Sequence, residues 1–136
     1  MGPLRLSSHA LATLQAHAAA ERPRECCGIL VGAGSPPAVD EVVAVTNRHP
    51  HPRGGYTIAA ADLAATLRAA RQRRRRVLGF YHSHPQSPAR PSEADRAAAW
   101  DGMSYCIVGE CAERSEVRSW RRGAAGEMVE QPVEVA

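Results

Sequence analysis

Two histidines, a serine and an aspartate stand close together in the middle of the chain, in the order His82, His84, Ser92 and Asp95. The apolar, β-prone residues Val77–Tyr81 precede them and predict a buried strand that the histidines end. Side chains two positions apart on a strand point to the same face. His82 and His84 are therefore expected to face a single cation together.

Three prolines, Pro85, Pro88 and Pro91, separate this strand from Ser92. They prevent the strand from continuing and favour a stiff, extended loop. Ser92 then has the position of a helix N-cap, with Asp95 three residues further on and an alanine-rich helix behind it. Because this aspartate can reach back to the strand end, the pattern gives two imidazoles, one carboxylate and an open fourth position. That ligand set is typical of catalytic rather than structural zinc sites.

The same residues also have simpler interpretations. His82 and His84 can be read as a hydrogen-bonded polar pair, and Ser92 with Asp95 as a helix cap alone. The metal site is favoured because the strand, the H-x-H-P sequence, the proline-rich loop and the capped turn would otherwise have to coincide by chance.

The stretch resembles the JAMM signature of the MPN family of metallopeptidases, which has the same spacing of H-x-H, serine and aspartate. That family places a glutamate before a short, glycine-containing apolar strand, and Glu25–Gly32 is similar to that element. Asn47 and Tyr56 also resemble residues of the small bacterial members. The resemblance implies the deaminase-like MPN fold, an α+β (mixed α/β) architecture with a curved, mostly antiparallel sheet flanked by helices.

The resemblance also implies a role for each residue of the motif. His82, His84 and Asp95 would bind one zinc ion per chain, with water as the fourth ligand. Glu25 would hold that water and act as general base, and Ser92 would donate a hydrogen bond to the oxyanion. Zinc can lower the pKa of bound water to about 7, which gives a nucleophile near neutral pH.

Glu25 has one competitor for the role of base, since Glu21 lies four residues earlier. Glu25 is favoured because it borders the predicted strand around Gly28, as the family pattern requires. Glu93 lies inside the motif at a helix start, where negative charge is favourable without any catalytic role.

Length and composition indicate the size and general class of the protein. The chain has 136 residues, 44% of them hydrophobic, and a formal net charge of +3, which predicts a single domain over residues 1–136. No apolar run is long enough to cross a bilayer and no secretory segment is evident, so a cytoplasmic enzyme without a membrane partner is expected. The four cysteines include no C-x-x-C pair and are expected to be small buried hydrophobes.

Hydrophobic periodicity and turn residues predict the elements that hold the motif. Strands and helices are mixed without regular βαβ alternation, which favours an α+β fold. In the second predicted helix, Leu63 and Leu67 are expected to point inward. Strands are predicted at 4–6, around Gly28, at 39–46, at 56–58, before His82, at 105–108, near 116–121 and near 127–133, and helices after Ser7 or Ser8, near Ala60 and after Ser92.

Two other groups of residues have features of functional sites. Arg71–Arg76 contains five arginines at the end of a predicted helix, which indicates either a solvated basic face or a docking patch for an acidic protein or a nucleic acid. The small net charge and the lack of interleaved aromatic residues argue against nucleic acid. His49 and His51 lie in a Pro- and Gly-rich segment without a paired carboxylate, so we expect an exposed loop there.

The resemblance implies a zinc metallopeptidase that hydrolyses the amide bond after the C-terminal Gly-Gly of a ubiquitin-like sulfur-carrier protein. The product would be an amino acid such as cysteine, or a C-terminal extension. The alternatives are a deubiquitinase-like isopeptidase on ubiquitin-fold conjugates and a non-catalytic MPN interaction module. The module is disfavoured because no motif residue is missing, and a zinc deaminase because H-x-E and P-C-x-x-C are absent. The sequence leaves the oligomeric state open, a homodimer included.

Overall fold

The computed structural model describes residues 1–136 as one eight-stranded sheet with three helices. Four strand pairings are antiparallel and three are parallel, so the predicted mixed α+β fold is confirmed. The strand order is β7-β6-β5-β4-β2-β3-β1-β8. The strands are β1 (Leu4–Leu6), β2 (Cys27–Ala33), β3 (Ala38–Val45), β4 (Arg76–His84), β5 (Ser104–Cys111), β6 (Arg114–Arg122), β7 (Met128–Gln131) and β8 (Val133–Val135), and the helices are α1 (Ser8–Glu21), α2 (Ala60–Gln72) and α3 (Glu93–Ala98).

The last two strands show that the sheet is strongly curved. β7 and β8 occupy opposite edges of the sheet although only Pro132 separates them in sequence. The two edges must therefore approach each other, and Leu4 donates its backbone N–H to the Pro132 carbonyl at 2.8 Å. The prediction of one continuous strand near 127–133 was wrong, because a proline has no N–H for a strand ladder and divides the segment.

The two faces of the sheet are covered by different helices. α1 buries Ala10, Leu14 and Ala18 in the same cluster as Tyr81 of β4, whereas Ala70 of α2 belongs to a second cluster with Phe80. Because side chains alternate along a strand, His82 and His84 lie on the Phe80 side. The α2 face is thus the one that carries the histidines.

Two expectations about the elements before β4 were wrong. Residues 56–58 form no strand: the Arg48 N–H donates to the Thr57 carbonyl at 2.9 Å, but a side chain, Asn47, receives the Thr57 N–H at 3.1 Å. Leu67 is 48% exposed instead of pointing inward. At about 100° per residue, Leu63 and Ala70 lie about 20° apart around α2, while Leu67 lies about 60° from Ala70 and falls at the margin of the covered stripe.

Two of the five arginines of the run contact acidic residues of β3. Arg73 contacts Glu41 at 2.9 Å, and Arg75 pairs with Asp40. These pairs are partly exposed, so their effect on stability is small. None of the three helices has the length and apolarity needed to span a membrane.

The cysteines are all unpaired, and three of them follow the expectation. Cys26, Cys27 and Cys106 are buried, whereas Cys111 is exposed at the end of β5. Burial raises the pKa of the Cys106 thiol to about 12, as is typical of a cysteine that packs as a small apolar side chain.

Candidate metal centre

The candidate centre is built on the end of β4, which is held on both sides. β4 pairs with β2 in the antiparallel and with β5 in the parallel direction, so its end is buried, with His82 1% and His84 8% exposed. Gly79 allows the close approach of β5, since a Cβ there would stand 1.9 Å from the Ser104 carbonyl oxygen. Pro85 then ends the strand.

Three ligand atoms converge at this end. The Nε2 atoms of His82 and His84 are 3.2 Å apart, and they lie 3.1 and 3.2 Å from Oδ2 of Asp95. A tetrahedral ion with bonds of about 2.0 Å needs ligand atoms about 3.3 Å apart. The triangle therefore has the size of one face of a tetrahedral coordination sphere.

Hydrogen bonding alone does not account for this triangle. Nδ1 of His84 donates to the Pro88 carbonyl at 2.9 Å, which leaves Nε2 of the neutral imidazole as an acceptor. That nitrogen then faces a carboxylate oxygen of Asp95 that is also an acceptor. Two acceptors in contact require a cation or an added proton between them, so the donor set fits a metal ion.

The helix cap also holds Asp95, the third candidate ligand. Ser92 is the N-cap of α3: its Oγ accepts the Asp95 N–H at 3.0 Å, and its own N–H donates to Oδ2 of Asp95 at 2.9 Å. This capping box fixes the rotamer of the aspartate. Because Oγ accepts through a lone pair, the hydroxyl proton of Ser92 is still available to another acceptor.

The pKa shifts of His82 and Asp95 agree with metal binding, whereas that of His84 favours a proton in the metal-free protein. Burial lowers the pKa of His82, which favours the neutral imidazole. Burial by itself would raise the pKa of Asp95, but hydrogen bonds with His82 and His84 outweigh it and hold that pKa far below the usual range. For His84, burial is likewise outweighed by Asp95 and the Pro88 carbonyl, and its pKa is raised.

Glu25 lies beside the histidines, just before β2. Its ligand oxygen is within 4.8 Å of the ligand nitrogens of His82 and His84, a group that could hold a metal ion. The residue is 8% exposed, and burial raises its pKa to about 7, with a further rise from Asp95 and an opposing effect of His84. Glu21, by contrast, ends α1 and pairs with Arg24 at 3.8 Å.

Sequence reasoning missed two contacts of the centre. Ser83, between the histidines, points to the opposite face and accepts the Cys26 N–H on its Oγ at 2.8 Å, which ties the residue after Glu25 to β4. The Tyr56 ring stacks on His82 with centroids 4.3 Å apart. The alternation of strand side chains predicts that Ser83 points away from the histidines, but nothing in the sequence pairs its hydroxyl with Cys26 or Tyr56 with a histidine.

The second histidine pair lies outside the centre. His49 accepts the His51 N–H on its Nδ1 at 2.9 Å, and neither residue belongs to the group that could hold a metal. Both residues lie in the segment without helix or strand between β3 and α2, as expected for a loop.

The architecture defines the class of protein: an α+β domain of the JAMM/MPN type with a candidate metal centre at the end of a central strand. The model of one family, described as prokaryotic homologs of the JAB domain, matches residues 7–123. The chain belongs to this family.

Three relatives indicate the range of the family. The chain is 36% identical over 91 residues to the desampylase of Haloferax volcanii, covering 66% of each protein. It is 34% identical over 95 residues to a probable TtuB-protein conjugate cleaving protease of Thermus thermophilus, covering 70% of this chain and 62% of the relative. With the CysO-cysteine peptidase of Mycobacterium tuberculosis it shares 28% over 122 residues, 88% of this chain and 82% of the relative. The match thus spans just under two thirds of the first two relatives.

Solved structures share the fold. A protein of Desulfitobacterium hafniense superposes with a TM-score of 0.86 at 25% identity, covering 98% of this chain and 92% of the other. A structure described as JAMM, a metalloprotease-like zinc site in the proteasome and signalosome, superposes with a TM-score of 0.59 at 23% identity, covering 97% and 98%.

Proposed function

We propose that this protein is a zinc metallopeptidase that hydrolyses the amide bond after the C-terminal Gly-Gly of a ubiquitin-like sulfur-carrier protein. The observation that carries the proposal is the triangle of His82 Nε2, His84 Nε2 and Asp95 Oδ2, with edges of 3.1 to 3.2 Å. The names of the relatives, which include a peptidase and conjugate-cleaving proteases, support the same reaction class.

His82, His84 and Asp95 would hold the metal. Two imidazole nitrogens and one carboxylate oxygen, with a fourth position left open, are a donor set that zinc accepts in hydrolytic enzymes. Zinc bound there would supply a Lewis acid that lowers the pKa of a water molecule to about 7.

Glu25 is proposed as the general base. Its pKa of about 7 suits proton transfer near neutral pH, because a base is most effective when its pKa lies near the working pH. The carboxylate would take the proton of the attacking water and deliver it to the leaving amine. Such a base typically contributes about 10²–10⁴-fold to the rate.

Ser92 is proposed as the donor to the developing oxyanion. Its oxygen already accepts the Asp95 N–H at 3.0 Å, so the hydroxyl is held beside the metal ligand while its proton remains to be donated. One such donor is worth about 10²–10³ in kcat.

The substrate class follows from the relatives and from the shape that a ubiquitin-fold protein offers. A Gly-Gly tail has no side chains and can enter a narrow site as an extended strand, while the globular body stays outside. Of the three relatives described above, the CysO-cysteine peptidase is the one that this chain covers most fully. This supports release of an amino acid such as cysteine, or of a short C-terminal extension, from the carrier.

A second candidate is an isopeptidase on ubiquitin-fold conjugates. It is favoured by two relatives with more than 30% identity, a desampylase and a probable conjugate cleaving protease. Both candidates attack the same carbonyl and differ only in the leaving amine, which is the α-amine of an amino acid in one case and a lysine side chain in the other.

The two are separated by a paired assay. Purified zinc-loaded protein is incubated with a carrier that ends in Gly-Gly-Cys and with the same carrier linked to a lysine side chain, and the products are identified by mass spectrometry. Glu25→Gln, which should keep zinc, is the inactive control. Cleavage after Gly-Gly is expected, and the substrate that is cleaved faster identifies the activity as that of a peptidase or of an isopeptidase. If a zinc-loaded protein leaves both substrates intact, the proposal is wrong and the non-catalytic module is favoured.

A further inference from the structure

The loop of residues 46–59, between β3 and α2, covers the candidate centre without any regular structure of its own. Its backbone and one aromatic ring each contact the centre. The Pro52 carbonyl accepts the Glu25 N–H at 2.7 Å, and the Tyr56 ring stacks on His82 with an interplanar angle of 20°. Loops this long without secondary structure are uncommon and usually functional. Because the loop lacks the repeating hydrogen bonds of a helix or strand, other interactions must fix its shape.

The Asn47 side chain provides such interactions through four hydrogen bonds. Its Nδ2 donates to the Glu25 carbonyl at 3.0 Å and to the Gly55 carbonyl at 2.9 Å. Its Oδ1 accepts the N–H of His49 at 3.0 Å and of Thr57 at 3.1 Å. An amide side chain has two N–H donors and two carbonyl lone pairs, so its hydrogen-bonding capacity is fully used.

The hydrogen-bond partners of Asn47 lie at or next to the two functional side chains, those of Glu25 and Tyr56. One is the carbonyl of Glu25 itself, whose N–H is held by the same loop. Two others, Gly55 and Thr57, are the neighbours of Tyr56 on either side. A single side chain thus sets both the backbone of the base and the ring that lies against His82.

We infer that Asn47 is a positioning residue of the centre, which acts through Glu25 and Tyr56 and is not itself a metal ligand. Its catalytic consequence rests on the proposed function. Aspartate cannot replace it, because a carboxylate keeps the two acceptors but sets negative oxygen against the carbonyls of Glu25 and Gly55.

The test is a double-mutant cycle with Glu25 on the zinc-loaded protein. Asn47→Ala and Asn47→Asp should each lower kcat by about 10- to 100-fold, as loss of an outer-sphere contact or a misplacement near 1 Å does, with zinc content retained. Glu25→Gln should then cost much less in the Asn47→Ala background than in the wild type, because a misplaced base has less to lose. Thr57→Ala, whose contacts to Asn47 are made by the backbone, is the matched control and should behave as the wild type.

A second readout needs no substrate. In the zinc-free protein, Asn47→Ala and Asn47→Asp should speed amide hydrogen exchange of residues 48–57 while leaving β2 and β4 protected, and Thr57→Ala should not. Wild-type kcat in both Asn47 variants, or losses that multiply independently with Glu25→Gln, would overturn the inference, as would unchanged exchange. If the wild type cleaves neither carrier, the proposed function fails, whereas the exchange experiment still decides whether Asn47 holds the loop.

Discussion

Glu25→Gln should stabilise the zinc-free protein at alkaline pH, although it removes the proposed base. Glu25 is 8% exposed, and burial raises its pKa from 4.5 to about 7. The folded state therefore keeps a proton that the unfolded chain releases, and stability falls as the pH rises from 4.5 through 7. Glutamine is neutral throughout and carries no such loss.

The size of this effect follows from the pKa values. At about 1.4 kcal/mol for each pH unit, the interval from 4.5 to about 7 corresponds to about 3 kcal/mol of unfolding free energy. The stability of Glu25→Gln relative to the wild type should thus increase by about 3 kcal/mol between pH 4 and pH 8. The other titrating groups contribute to both proteins and largely cancel in this difference.

The assay is urea denaturation of both proteins in the presence of a chelator at several pH values. Glu21→Gln, which removes a half-exposed carboxylate four residues earlier, is the matched control for the loss of one acidic group. A difference between Glu25→Gln and the wild type that is the same at pH 4 and pH 8 would refute the reasoning, because the carboxylate would then be as well solvated in the folded as in the unfolded state.

Three further outcomes are expected. His82→Ala and Asp95→Ala should each lose most of the zinc measured by plasma mass spectrometry, and near-stoichiometric metal in either would contradict the ligand set. Ser92→Asp keeps a cap acceptor but has no hydrogen-bond donor when ionised, so kcat should fall about 10²–10³-fold with an unchanged Tm, whereas Ser92→Ala should also lose about 1 kcal/mol of stability; full activity of Ser92→Asp would exclude the oxyanion role. Gly79→Ala places a Cβ 1.9 Å from the Ser104 carbonyl and should destabilise by about 2 kcal/mol or more, and an unchanged Tm would show that β4 and β5 can separate.

The local part of the centre could be predicted because short-range rules govern it. Strand alternation predicted that His82 and His84 share a face, and the spacing of Ser92 and Asp95 predicted the cap that the structure shows. Glu25 was different, since 57 positions separate it from His82. Only the resemblance to a family pattern selected it over Glu21.

The errors arose where long-range contacts override local preference. Residues 56–58 have the composition of a strand, but the Tyr56 ring is engaged by His82 and the Thr57 N–H by Asn47. The segment near 127–133 was expected to be one strand. The structure divides it at Pro132, and its two parts form opposite edges of a curved sheet. A few consecutive residues determine neither which side chain a loop aromatic stacks on nor how the two edges of a sheet approach each other.

The sequence by itself determined which side chains could serve as ligands, that the two histidines share a face, and where the helix that presents the aspartate begins, because each depends on backbone geometry over a few positions. Tertiary structure alone decided that a buried glutamate from the start of β2 stands beside the histidines, and that one asparagine holds it there. Burial and convergence depend on how β2, β4 and the loop of residues 46–59 pack together. That packing also raises the pKa of Glu25 to about 7, mainly because removal from water disfavours the ionised carboxylate.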